Sequence, residues 1–311
     1  MSADRLAEVS DLFVLAAVLL YLFSMVGFAL ELAFGRARSD AAAGRAKVPV
    51  AVGGAADGAP PVEQEGVEPP SWAPKAGVVA LVLGWLGWAA NLAAIVTRGL
   101  AADRWPWGNM YEFVVAICFA AVTAFLVTQI RQNVRFLGPF VMVTATLGLG
   151  FAVKVLYTAA GPVVPALNSY WVAIHVTAAI LSSGLFILAG VAGILYLVRG
   201  DGLSRLPSRA DLERVAHRAI VLSFPVWTFA VIAGALWADK AWGRYWGWDP
   251  KEVWAFITWV AYAAYLHARV TAGWRGRAAT IVQLIAFGCL LFNLIGVNIF
   301  IDGLHSYADV D

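Results

Sequence analysis

Charge is the first thing this sequence is short of. Lys, Arg, Asp and Glu make up 14% of its 311 residues, while 61% are hydrophobic. An ordinary soluble globule carries about 25% charged residues, so that class is excluded. The net charge of +2 gives no sign of a nucleic-acid partner. Cysteine is almost missing: Cys118 and Cys289 are the only two. Both lie inside apolar runs and form no C-x-x-C pair. That excludes a thiol–disulfide exchanger and leaves two small buried hydrophobes. The first eleven residues are acidic and lack a small-residue cleavage pattern. The first apolar run therefore reads as a retained helix, not a cleaved signal.

What the chain does have is long apolar runs. Eight read as transmembrane helices, at about 12–34, 77–97, 113–130, 136–156, 170–198, 219–237, 253–270 and 279–301. The predicted fold class is all-α: a polytopic membrane protein of about eight spans. The loops after spans one, three, five and seven hold fifteen of the 22 Lys and Arg. The positive-inside rule makes those loops cytoplasmic, and both termini then face outward. Residues 1–35 form the first span with its flanks. Residues 36–75 are Ala-, Gly- and Pro-rich with few large apolar side chains, and read as a disordered cytoplasmic linker. Residues 76–311 form the main membrane domain. No internal repeat is evident.

One outer segment stands apart. W-G-R-Y-W-G-W-D-P-K-E-V-W-A-F-I-T-W runs from 242 to 259 and holds Trp242, Trp246, Trp248, Trp254 and Trp259. The outer loop around it is expected at 239–254. Five indoles so close make a π-rich surface for a flat, mostly apolar ligand; an interfacial aromatic belt would account for them equally well. Asp249, Pro250 and Glu252 predict a helix start, as N-cap, N1 and N3. The outer turn from Arg104 to Glu112 carries Trp105 and Trp107 and predicts a second structured helix start.

Histidine is costly in lipid, so its four positions are informative. His175 lies about 7–8 Å below the outer interface at 1.5 Å per residue. His305 lies just past the outer end of span eight. Two imidazoles and an aromatic wall on one side suit bis-His haem; a hydrogen bond to backbone is the plain alternative for each. His267 is about 20 Å below Trp254 along a helix, too deep to share an iron with the other two. Small neighbours at Ala261, Ala263 and Ala264 leave room beside it. His217, in a charged cytoplasmic stretch, reads as solvated. Arg104, Lys240 and Arg244 are outer-face cations available to carboxylates.

The Trp-rich segment resembles the WWD signature of haem-handling cytochrome c biogenesis proteins. The fuller pattern includes P-x-x-N-x-Y-E at 106–112, S-Y-W-x-x-I-H ending at His175, A-Y-A-A-Y-L-H ending at His267, and G-L-H-S-Y-A at 303–308. It is similar to the CcsA/ResC branch, named CcsB in some bacteria, the membrane half of the system II cytochrome c synthase. The resemblance implies a subunit of a cytochrome c synthase (haem lyase) in a bacterial plasma membrane, surrounded by membrane lipid. It implies haem b as cofactor, and apocytochrome c and a Ccs1/ResB-type membrane protein as partners. By the same resemblance His175 and His305 are external iron ligands and His267 is a transmembrane one. Trp242, Trp246, Trp248, Asp249 and Trp254 are then cofactor-binding. The chain shows no catalytic nucleophile, since the reacting thiols belong to the apocytochrome. A carrier that hands haem over without attaching it, like the shorter system I proteins with the same signature, stays open.

Overall fold

A computed structural model of the chain describes residues 1–35, 70–163, 167, 169–199 and 206–305. All regular secondary structure among them is helical. In order these are α1 (Ala3–Phe34), α2 (Ala73–Ala102), α3 (Met110–Arg131), α4 (Gly138–Val155), α5 (Tyr170–Arg199), α6 (Arg209–Trp242), α7 (Pro250–Thr271) and α8 (Gly276–Leu291). A π turn, Phe292–Gly296, carries α8 into the short α9, Val297–Phe300.

Among the described residues, seven helical stretches are long and apolar enough to cross a membrane: α1 to α6 and the continuous run Gly276–Phe300. The 22 residues of α7 give it the length, about 33 Å at 1.5 Å per residue. Its tryptophans, tyrosines and His267 lower its hydropathy. The all-α polytopic class holds, with seven spans by composition and α7 as the eighth by length. The helix α2 begins at Ala73, with a proline in its first turn, so the last three residues of the expected linker are helical. The rest of that linker, through residue 69, lies outside the described residues, as do Asn168, Arg205 and the stretch from Ser306 onward.

The helices α5 and α6 contain 30 and 34 residues, about 45 and 51 Å. Both exceed a hydrocarbon core of about 30 Å. So α6 carries its charged first turns past one face and Asp239 and Lys240 past the other. His217 sits on those first turns, but it is half-buried and its Nδ1 is 3.3 Å from the Tyr265 hydroxyl of α7. The expectation of a solvated His217 fails because α7 packs alongside it. The Arg269–Glu213 ion pair joins the same two helices, and Gly276 N donates to Glu213 Oε1 at 3.1 Å.

α1 packs along α2 and touches α4, while α3 contacts α2, α4 and α5. α5 pairs with α6 and touches α8, and α7 pairs with α8. This makes α5 the hub between the first four helices and the last four. Small residues let it come close, as is usual where lipid supplies no hydrophobic drive. At Gly184 a Cβ would lie 2.6 Å from the Ala120 carbonyl carbon and 2.8 Å from Ala121 N. That obstacle is backbone, which cannot swing aside. Ser223 Oγ of α6 donates to Ser182 O of α5 at 2.7 Å.

At the other end of the bundle, buried Glu112 accepts from Arg98 Nε at 3.1 Å and from Arg104 Nη1 and Nη2 at 2.8 and 3.0 Å. Arg98 also donates to Thr158 O, and Arg104 Nε to Gly161 O at 2.9 Å. One carboxylate thereby ties α2, α3 and the segment after α4 together. Losing it would leave two arginines without their shared anion.

The Gly184 crossing gives a direct test of this packing. Gly184→Val is expected to force α3 and α5 apart and to destabilise the fold by about 1–3 kcal/mol, the usual range for overpacking. A lower thermal midpoint in detergent checks it; an unchanged midpoint would mean the two helices do not cross there.

Candidate functional site

Two turns frame one end of the bundle, and they are built alike. In the first, Asn109 caps α3 by accepting from Glu112 N at 2.9 Å, while Gly108 N donates to Glu112 Oε2 at 2.8 Å. In the second, Asp249 caps α7 in a full capping box with Glu252, and Gly247 N donates to Glu252 Oε2 at 2.8 Å. Each turn also starts with an arginine, Arg104 or Arg244, whose guanidinium lies against the loop glycine. The sequence alone shows no repeat here because the tryptophans sit at different offsets.

Between the turns lies a cavity of about 1100 Å³, counting its open mouth. Helix faces supply its walls. Val172, His175, Val176 and Ala179 come from one face of α5, and Ala230, Gly234, Trp237 and Ala238 from one face of α6. Trp107 and Asn109 come from the first turn; Tyr245, Trp246, Lys251 and Glu252 come from the second. Asn293, Asn298 and His305 close the side formed by the π turn and the chain beyond it.

The two histidines lining this cavity are held in the same chemical state. His175 Nδ1 is 2.7 Å from Ala230 O. A carbonyl can only accept, so Nδ1 carries the proton and Nε2 keeps its lone pair. His305 Nδ1 is 2.8 Å from Asp249 Oδ2, and the ionised carboxylate imposes the same tautomer. Pinning one ring nitrogen to present the other is how imidazoles are prepared for a metal. Both rings rest on buried Trp237: His175 stacked at 6.1 Å and 12°, His305 edge-on at 5.5 Å. Trp242 adds an edge contact to His305 at 5.0 Å. Among the described residues no group of three or more His, Cys, Asp or Glu forms a metal cage. Two imidazoles suit a metal that brings its remaining ligands with it, as iron in a porphyrin does.

Burial raises the Asp249 carboxyl, but the His305 hydrogen bond and the Leu304 N–H, at 2.7 Å, outweigh it and hold the group below the usual aspartate value. The same carboxylate accepts from Lys251 N at 3.2 Å.

Of the expected site residues, the structure brings His175, His305, Trp242 and Trp246 to the cavity wall. Asp249 stands behind His305. Trp248 does not reach the wall: it is 69% exposed, has a φ of 57°, and touches Trp246 edge-on at 5.8 Å. Trp254 packs on Phe292 at 4.3 Å instead, and Trp259 Nε1 donates to Thr228 Oγ1 at 2.9 Å between α7 and α6. The expected loop at 239–254 narrows to 243–249, because α6 continues through Trp242 and α7 starts at Pro250. His267 is exposed on α7, away from the cavity, with Thr271 Oγ1 3.4 Å from its Nδ1. Arg104 is held by Glu112, Lys240 lies 3.7 Å from Asp239, and Arg244 is exposed. None of the three lines the cavity. Sequence reasoning missed Lys251 and Trp237, which do.

Helical spans and a cavity that sets two imidazoles on an aromatic wall define a polytopic membrane protein. Comparison with known proteins agrees in kind. The family described as cytochrome C assembly protein matches residues 107–305, and the chain belongs to that family. It is similar to the cytochrome c biogenesis protein CcsA of Chlamydomonas reinhardtii, at 35% identity over 225 residues, 69% of this chain and 64% of that protein. It is also similar to CcsA of Synechococcus elongatus, at 31% identity over 291 residues, 76% of this chain and 88% of that protein. In three dimensions it resembles the cytochrome c heme lyase CcmF, with a TM-score of 0.59 and 16% identity, covering 94% of this chain and 47% of that one. That last likeness is one of fold. Family membership makes this a multi-pass membrane protein of cytochrome c maturation.

Two predictions follow from the geometry. At Gly234 a Cβ would meet His175 Cε1 at 2.7 Å and Nδ1 at 2.8 Å. Gly234→Ala is therefore expected to push the ring off Ala230 O and let His175 sample both tautomers. The Asp249–His305 bond should be fully present above the ordinary aspartate pKa of about 3.9 and be lost as pH falls through the lower folded value. Asp249→Ala should lose it at every pH. Nitrogen NMR of labelled histidines reads both tautomers; a fixed Nδ1–H on His305 in Asp249→Ala would contradict the pairing.

Proposed function

We propose that this chain moves haem outward across the membrane and holds it between His175 and His305 for covalent attachment to an apocytochrome c. The observation that carries this is the shared state of the two imidazoles. Both line one aromatic cavity, and each has Nδ1 at an acceptor, so Nε2 is the nitrogen each would present to iron. Trp237, Trp242 and Trp246 would lie against the porphyrin. The excess of Lys and Arg in the loops on the opposite side supports an outward-facing cavity in a bacterial plasma membrane, with both termini outside.

The attachment itself needs little from this chain. Haem b carries two vinyl groups, and each cysteine thiol of a C-x-x-C-H segment adds across one of them. Sulfur bonds to one vinyl carbon and a proton to the other, so no net oxidant is consumed. The protein's part is to orient the ring and exclude water until the apocytochrome's own histidine displaces a ligand.

His175→Ala and His305→Ala are each expected to lower haem content by roughly tenfold or more. Added imidazole should restore part of it by refilling the vacant iron position. The measurement is the low-spin absorption spectrum of the purified protein together with cytochrome c yield. Normal spectra in both variants would sink the assignment.

His267 supports a second, inner haem position. It is exposed on the outer surface of α7, so a second imidazole would come from a neighbouring membrane protein, of the Ccs1/ResB type. Co-expression with such a partner should raise haem content in a His175→Ala, His305→Ala background, and His267→Ala should abolish the gain. Full inner occupancy in the chain expressed alone would refute the shared site.

A further inference from the structure

We propose that Lys251 is the carboxylate-binding cation of this cavity, and that it sets which edge of the ligand points inward. The inference rests on the haem reading above and adds a residue to it.

Among the described residues lining the cavity, Lys251 is the one lysine or arginine. It is the second residue of α7, one turn before Ala255, which lines the same cavity. Its Nζ donates to Asn293 O at 2.6 Å. That carbonyl belongs to the π turn, where Val297 N–H reaches Phe292 O and not Asn293 O. The irregular turn thus offers the lysine an acceptor that a regular helix would have used for itself. One of three ammonium N–H groups is spent there, and the head is held in place.

The nearby acids are committed elsewhere. Glu252 Oε2 accepts from Gly247 N at 2.8 Å and Asp249 N at 3.0 Å. Asp249 accepts from His305, Leu304 N and Lys251 N. Among the described residues no carboxylate lies within ion-pair distance of Lys251 Nζ. A lysine on an apolar wall without a counter-ion holds its charge best when an anion sits against it, so the wall favours a ligand that brings one. A second observation points to a polar ligand at this wall. Asn293 Oδ1 and Trp107 Nε1 are both buried without a hydrogen-bond partner, and both residues line the cavity.

The ligand that matches is flat and apolar with a carboxylate edge. In protoporphyrin the two propionates share one side of the ring, and the vinyls lie on the other half. A propionate held at Lys251 turns the vinyl half away from α7. The imidazoles fix the iron; the lysine fixes the rotation of the ring about it.

The test uses iron-free protoporphyrin IX and its dimethyl ester, which share the ring and differ in whether the propionates are charged or methyl-capped, and neither needs the histidines. Each is titrated into the full chain in detergent, with tryptophan fluorescence as readout. The wild-type protein should bind the free acid roughly tenfold tighter than the ester, the scale of a hydrogen bond to a charged group. Lys251→Gln should erase that preference and Lys251→Arg should keep it. Equal binding of acid and ester by wild type, or an unchanged preference in Lys251→Gln, overturns the lysine's role while the cavity reading stands. If wild type binds neither porphyrin, the cavity reading falls and takes this inference with it.

Discussion

One carboxylate holds the cavity end of this protein together. Asp249 caps α7, takes the Leu304 N–H and takes the His305 imidazole. Local helix chemistry and the far end of the fold meet in a single group that is 7% exposed. The cap alone would be an ordinary helix start. Because the same oxygens receive a turn from more than fifty residues later, the first turn of α7 and the position of His305 cannot be adjusted separately. The tryptophans that end α6 gain their arrangement from this constraint, since Trp242 and Trp237 pack against the ring that Asp249 holds.

A second buried carboxylate does parallel work at the other turn. Glu112 gathers Arg98 and Arg104 and receives the Gly108 N–H. Two helix starts, each with a Glu at its third residue, thus stand on either side of the cavity. One presents a bare polar atom, Trp107 Nε1; the other presents a lysine. The helices between them are long and rigid, so the groups they carry keep their spacing.

Much of this was legible in the sequence, and the exceptions share a cause. The helical class followed from run length and composition, and the helix start at Asp249 from its capping residues. His175 and His305 stood out because histidine is rare in lipid. Trp237 did not, because it closes an apolar span and counts there as one more hydrophobe. Its register with Ala230 and Gly234, seven and three residues earlier on one face of α6, was readable but has no meaning until α5 brings His175 against that face. Lys251 was hidden among ordinary flanking charges for the same reason. The tryptophan cluster was read as one surface, yet its members divide among cavity wall, solvent and the α7 interfaces, since helix geometry turns successive residues by 100°. His217 looked solvated because nothing in its neighbourhood in sequence announces Tyr265. Partners distant in the chain are what a local reading misses.

The π turn at Phe292–Gly296 has one more consequence. Such a turn places one residue more than an α-helix needs in the same rise, so everything after it is rotated by about 100° relative to what precedes it. Asn298 and His305 face the cavity in that rotated frame. The eighth span therefore has a count as well as a length: removing any one residue between 292 and 296 would restore a smooth helix and swing its C-terminal end away from Asp249. Substitutions along this stretch act on contacts, but a one-residue deletion acts on registration, and a chain could keep every apolar residue of the span and still lose the meeting of its two ends.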